Sequence, residues 1–198
     1  MSTVKSKKLQ VGTDATSSNN FTIYQPATPD GTLRIGVGNA DSPTEVGQFN
    51  ANGYKPQQPV AFSAYLPSNS SFTSFVWTVM PLSSEDFDTN SNYSTSTYRF
   101  TPTVAGYYQF NAQAGFIHGG TAGIIGIGVW KNGGVGASSI TASYVSHNSG
   151  DIKTHSCCLY MNGTTDYVDA RVYNSGSSPS INSSYWETHF TGYLIAQG

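Results

Sequence analysis

From position 166 to 174 the chain reads Asp-Tyr-Val-Asp-Ala-Arg-Val-Tyr-Asn. In an extended strand alternate side chains share a face. Tyr167, Asp169, Arg171 and Tyr173 therefore line up on one side, and Val168, Ala170 and Val172 on the other. The apolar triplet suits a core. The polar quartet reads as a solvent-facing platform for glycan: rings stack on sugar faces, and carboxylate and guanidinium groups hydrogen-bond hydroxyls in pairs. The plainer reading is a surface Asp–Arg pair between tyrosines, which contributes little. Loops 84–92, 118–123, 146–153 and 175–184 are further candidates, because recognition sits on loops held by a rigid scaffold. Their Ser, Asn and Gly content suits hydrogen bonding to polysaccharide.

Catalytic patterns are absent from the sequence. It holds no Gly-x-Ser-x-Gly elbow, phosphate loop or His-Glu-x-x-His pair. His118, His147, His155 and His189 are scattered, with no His-x-His pair. Asp166 and Asp169 stand three apart, on opposite faces of a strand, so one chain cannot use them as a glycosidase acid and base. Glu85-Asp86-Phe87-Asp88, with Asn90 and Asn92 nearby, is dense in oxygen ligands of the kind calcium takes. It lacks EF-hand spacing and reads as a solvated acidic turn in a long loop. The expectation is a protein that is not an enzyme and needs no cofactor, with calcium unsupported.

The elements that position these residues are strands. Runs at 60–66, 75–80, 96–101, 106–118, 124–131, 136–145, 154–162, 166–174 and 185–196 are separated by clusters such as Asn132-Gly-Gly134, Asn162-Gly163 and Asn174-Ser-Gly-Ser-Ser-Pro179. No segment supports a helix of three turns. The spacing predicts a sandwich or jelly roll. Ahead of it, residues 1–58 are rich in Asn, Gly, Asp and Pro, with short strand-like runs at Phe21–Tyr24, Leu33–Val37 and Glu45–Phe49. These are too short for a core of their own. The segment should be stabilised by copies of itself or by docking. Lys55-Pro-Gln-Gln-Pro59 marks the boundary, since its prolines hold the chain extended.

The composition agrees. Of 198 residues only 10% are charged, against roughly 25% in an ordinary soluble protein, while 13 Tyr, 10 Phe and 3 Trp accompany 21 Gly. That aromatic content excludes a disordered chain. Nine Lys and Arg stand against eleven Asp and Glu, so there is no basic excess for nucleic acid. No apolar run approaches the ~18 residues of a membrane helix, and no apolar core follows the basic start to make a secretory signal. Cys157 and Cys158 are neighbours on opposite faces of a strand. They form no disulfide framework, which points to synthesis in a reducing cytosol.

Asp88, Tyr93, Phe100 and Gly106-x-Tyr108-x-Phe110 resemble the pattern of the complement C1q/tumour-necrosis-factor jelly-roll family. Pro59-Val-Ala-Phe-Ser-Ala64 resembles its first strand, Trp130-Lys-Asn-Gly133 its central strand and turn, and Phe190-Thr-Gly-Tyr-Leu194 its closing strand. The resemblance spans 59–198 in the right order. Leu82 and Ala112 depart from it, standing where aromatic residues are usual. It implies a ten-strand, all-β jelly-roll head in which strands 106–118, 154–162 and 185–196 form an inner sheet packed against two other subunits. Periodicity puts Tyr108, Phe110, Ala112, Ala114 and Phe116 in the core, with Cys157, Leu159, Met161, Trp186, Phe190, Gly192 and Leu194. It turns Tyr107, Gln109, Tyr160, Tyr185, His189 and Tyr193 away from the core. Tyr107, Gln109, Tyr160, His189 and Tyr193 are then the expected homotrimer interface.

The leader resembles something else. Leu9-Gln-Val-Gly-Thr-Asp-Ala15, Asn19-Asn-Phe-Thr22, Gly31-Thr-Leu-Arg-Ile35 and Gly38-Asn-Ala40 look like segments of bacteriophage fibre and virion structural proteins, cyanophage-like in particular. The two resemblances together imply a virion protein. Residues 1–58 would join other virion proteins, and 59–198 would form a trimeric head that recognises host-surface glycan or lipopolysaccharide, without inserting into a membrane. A capsid decoration (cement) trimer and a soluble C1q-like carbohydrate-binding module are the alternatives.

Overall fold

A computed structural model describes residues 8–56, 60–118, 123–134, 145–146, 150–183 and 186–198. The chain divides into two compact units, Met1–Pro59 and Val60–Gly198.

Five strands build the first unit: β1 (Lys8–Val11), β2 (Phe21–Tyr24), β3 (Leu33–Val37), β4 (Thr44–Asn50) and β5 (Gly53–Pro56). They pair in chain order, each antiparallel to the next. The register sets Leu9 beside Ile23, Ile23 beside Ile35, Phe21 beside Val37 and Leu33 beside Phe49. One face of the sheet is therefore apolar. Lys8, Tyr24, Arg34 and Gln48 fall on the other, where Arg34 is held between Asp30 at 2.6 Å and Glu45 at 3.0 Å. β2 and β3 have the bounds read from the sequence. β1 and β5 carry too few residues to show a period.

The second unit contains β6 (Ala61–Tyr65), β7 (Ser70–Ser71), β8 (Thr78–Val79), β9 (Ser84–Asp88), β10 (Tyr93–Ser94), β11 (Arg99–Phe100), β12 (Gly106–His118), β13 (Ile124–Lys131), β14 (Val145–Ser146), β15 (Ile152–Met161), β16 (Val168–Asn174), β17 (Pro179–Ile181) and β18 (His189–Gln197). Sheet I runs β15-β12-β18-β6-β9. Sheet II runs β10-β11-β16-β13-β14, with β8 also pairing β16. The short β7 and β17 extend the end of β12. Two antiparallel sheets of this order, packed face to face, make a jelly roll.

The core lies between the sheets. Tyr108, Phe110, Ala112, Ala114 and Phe116 of β12 are buried, as are Cys157, Leu159 and Met161 of β15 and Val168, Ala170 and Val172 of β16. Phe62 stacks on Phe100 at 4.4 Å and meets Phe190 edge-on at 5.0 Å. The Asp88…Tyr93 spacing has a local cause: Asp88 Oδ2 accepts the Tyr93 N–H at 2.6 Å, turning the chain so that Tyr93 pairs with Phe100. Leu82 and Ala112 are both buried and fill the space with less volume than a ring. At Gly106 a Cβ would fall onto the Ala196 carbonyl oxygen, where the β12–β18 register shifts. Gly192 is tighter in its side-chain surroundings: a Cβ there would stand 2.6 Å from Phe110 and 2.7 Å from Phe62. Gly192→Ala should destabilise the head by about 1–3 kcal/mol through overpacking, measured by denaturant unfolding. An unchanged midpoint would show that the rings yield freely.

Two expectations need correction. Trp186 is not in the core; it lies before β18 and is 72% exposed, while Thr188 takes the buried position. Glu85–Asp88 is not part of a long loop but lies in β9, an edge strand paired with β6. Acidic residues and a lone Phe hide a strand because they lack apolar alternation. The expected strand 136–145 lies outside the described residues, apart from Val145 at the start of β14. Tyr185 lies outside them too.

Candidate functional site

β13 and β16 pair so that Trp130 stands opposite Asp169, Gly128 opposite Arg171 and Gly126 opposite Tyr173. Ile125, Ile127 and Val129 point into the core. The solvent side of β13 is thus Ile124, two glycines and a tryptophan, and the glycines leave a trough. Trp77, just before β8, fills it. Its ring lies 5.8 Å from Trp130 and 5.5 Å from Tyr173, and a Cβ on Gly126 would come within 2.9 Å of it. Arg171 stacks on Trp130 at 4.2 Å, and Arg99 on Tyr167 at 4.1 Å. These are cation–π distances.

Asp169 overturns its expected exposure. It is fully buried, under the guanidinium groups, and not open to solvent. Arg171 donates to it through Nε at 2.5 Å and Nη2 at 3.1 Å, and Arg99 lies 3.8 Å away. A buried carboxylate is tolerated when a bidentate guanidinium pairs it. Its role is to fix the two arginines over their aromatic partners. The four residues predicted as a platform do share a face, with Tyr167, Arg171 and Tyr173 half-buried. Sequence reading missed Trp77, Trp130 and Arg99. The signal was present in Gly126-x-Gly128-x-Trp130, since alternate glycines on a strand mark a close approach. The Trp130 indole N–H is buried with no hydrogen-bond partner among the described residues.

Asp166 is an anchor rather than an acid. Lys131 pairs with it at 2.7 Å, and Asn132 and the Asn162 N–H donate to it at 2.8 and 2.9 Å. Burial alone would raise its pKa, but these donors outweigh burial and hold it below the ordinary carboxylate value. It ties the turn after β13 to the turn before β16. Asp88 is used in its own turn, and Asp86 accepts from Ser63 at 2.7 Å. No group of three His, Cys, Asp or Glu side chains is placed to hold a metal among the described residues. The candidate loops 118–123, 146–153 and 175–184 lie partly outside the described residues.

On the outer face of sheet I, tyrosines gather where β12, β15 and β18 meet, and Asp86 lies at the β6–β9 end. Tyr107, Tyr160 and Tyr193 are each about half exposed, and Tyr107 meets Tyr160 edge-on at 5.4 Å. Gln109 pairs in register with Tyr193 and donates to Ser156 at 2.7 Å. His189 is four residues from Tyr193, roughly 13 Å along the strand at ~3.3 Å per residue. It is therefore separate from the tyrosine group. Phe87 of β9 also faces outward on this sheet, beside Ser63. The acidic residues around it, which lack apolar alternation, hide it in the sequence. Cys157 is buried and Cys158 exposed, both as free thiols. Burial, with Cys158 adding to it, pushes the Cys157 thiol up to about 11.

Burial lowers the His189 pKa below its ordinary 6.5, against the opposing pull of Asp86. The folded state therefore favours the neutral ring. The unfolded chain takes up a proton first as pH falls, so this contribution to stability is complete above pH 6.5 and is lost below it. His189→Gln should flatten the part of the stability–pH curve below 6.5, measured by denaturant unfolding at several pH values. Superimposable curves for the two proteins would refute this.

No protein-family model matches the sequence, and no curated protein matches it. Solved structures do. Murine APRIL at pH 5.0 is similar with a TM-score of 0.54 and 9% identity, over 70% of this chain and 100% of that one. The same protein at pH 8.0 gives 0.54 and 10% over the same shares. The globular domain of zebrafish complement 1qA protein gives 0.49 and 14%, over 70% and 99%. At such identities the likeness is one of fold. The second unit shares the jelly-roll fold of murine APRIL.

Proposed function

We propose that this protein is a non-enzymatic bacteriophage virion component, a tail-fibre or spike tip, whose head forms a homotrimer and recognises host-surface glycan or lipopolysaccharide. The leader joins the head to other virion proteins. The observation that carries the recognition reading is the shelf on sheet II. Trp77, Tyr167 and Tyr173 are part-exposed rings, and guanidinium groups stack beside them. Flat rings next to fixed donors are what a sugar surface needs. Three copies would raise avidity without new contacts. The trimer reading rests on the uncharged, tyrosine-rich part of the outer face of sheet I around Tyr107, Tyr160 and Tyr193, because a tyrosine buries its ring while its hydroxyl finds a partner.

Glycan arrays and adsorption to host cells test this with the full chain. The intact protein should bind, and Trp77→Ala should lose at least about ten-fold in affinity, as aromatic anchors do. Labelling of capsids with no cell or glycan binding would overturn recognition in favour of the decoration trimer.

A further inference from the structure

We propose that the apolar face of the N-terminal sheet is an assembly surface, packed in the native protein against the same face of other copies of this chain. A sheet with one hydrophobic face must bury it against a second layer. Within the first unit the described residues form one layer only, β1 to β5. Leu9, Val11, Phe21, Leu33 and Phe49 of that face remain 58, 57, 49, 48 and 43% exposed.

With ordinary residue areas near ~200 Å², those five residues leave on the order of 500 Å² bare per copy. Shared among three copies, that is about 500 Å² for each pairwise contact, less than a free-standing interface buries and enough for copies already gathered by the head. The choice of other copies as the occupant, and the count of three, rest on the homotrimer reading of the head. The charges that would oppose self-association are absent from this face. Lys8 and Arg34 lie on the far side, and Arg34 is engaged there by Glu45 and Asp30.

The surface has relief that fits a copy of itself. An open depression of about 550 Å³ lies at one end, lined by Leu9, Ile23, Leu33 and Phe49 among others. Phe21, beside Val11 and Val37, lies half exposed at the opposite end of the same face. A ring at one end and a hollow at the other suit a head-to-tail contact, which the three-fold arrangement of the heads would close. Copies joined through the head would hold their leaders at high effective concentration, so other copies are the nearest occupants.

The test replaces Phe21 with a benzophenone-bearing phenylalanine in the full chain. Heavy-isotope-labelled and unlabelled copies are unfolded together, refolded, irradiated and digested. Links joining residues 8–50 of a heavy copy to residues 8–50 of a light copy are expected. The same probe at Gln48, on the polar face, should give none. Links confined to a single chain, or running into residues 60–198, would overturn the inference. The mass of the complex separates the two readings. A trimer whose leader links stay within one chain sinks the leader packing and leaves the head trimer standing. Links between copies in a Tyr160→Asp chain establish the leader packing without the head.

Discussion

Replacing Asp169 with Ala should lower the unfolding free energy of the head by about 3 kcal/mol, since breaking a buried ion pair costs ~3–5 kcal/mol. Asp169 has no exposed surface, and the Arg171 side chain it pairs with is only 15% exposed. Truncation leaves that guanidinium stacked on Trp130 without its Asp169 acceptor, and the second guanidinium, Arg99, loses its acidic neighbour. Asp169→Asn keeps the shape and one acceptor, so it should cost less. Tryptophan fluorescence during denaturation is the measurement of choice, because Trp77, Trp130 and Trp186 all belong to the head. The interaction is tested directly by a double-mutant cycle with Arg171→Ala. The losses should be far from additive. A cost under about 1 kcal/mol, or simple additivity, would show that the pair is ornamental.

The second large effect concerns association. Tyr160→Asp should convert the protein's head contact from trimeric to monomeric at micromolar concentration, read by sedimentation of a chain truncated in no other way and carrying Phe21→Asp to silence the leader. Tyr160 stands against Tyr107 on the uncharged, tyrosine-rich part of the outer face of sheet I. A carboxylate at that point would be desolvated in each copy and would approach its symmetry mates, and like charges brought together cost several kcal/mol. Tyr167→Asp, on the opposite side of the sandwich, should leave the mass unchanged. A monomer before any sheet I substitution, or a trimer that survives Tyr160→Asp, would remove the reading.

What the sequence revealed follows the physics of each segment. β12 and β13 appear with the bounds read from alternation, because Tyr108, Phe110, Ala112 and Ala114, like Ile125, Ile127 and Val129, mark one buried side without interruption. β9 was invisible because an edge strand needs no apolar period, and Ser84-Glu-Asp-Phe-Asp88 has none. Trp186 misled because phase was carried back from Phe190 across residues that lie outside the strand. In the candidate site, strand parity was enough to bring Tyr167, Asp169, Arg171 and Tyr173 to one side. It could not show that Asp169 is covered, because the cover is the Arg171 guanidinium turned back along its own strand and that of Arg99, about 70 residues away in sequence. Burial of a polar residue is a tertiary fact, and alternation reports only direction.

The trough over Gly126 is already full. Since Trp77 occupies it, the shelf is packed before any ligand arrives, and its rings give up little freedom when one settles. A flat guest would meet preorganised stacking faces and owe its affinity to their rigidity more than to the number of contacts it makes.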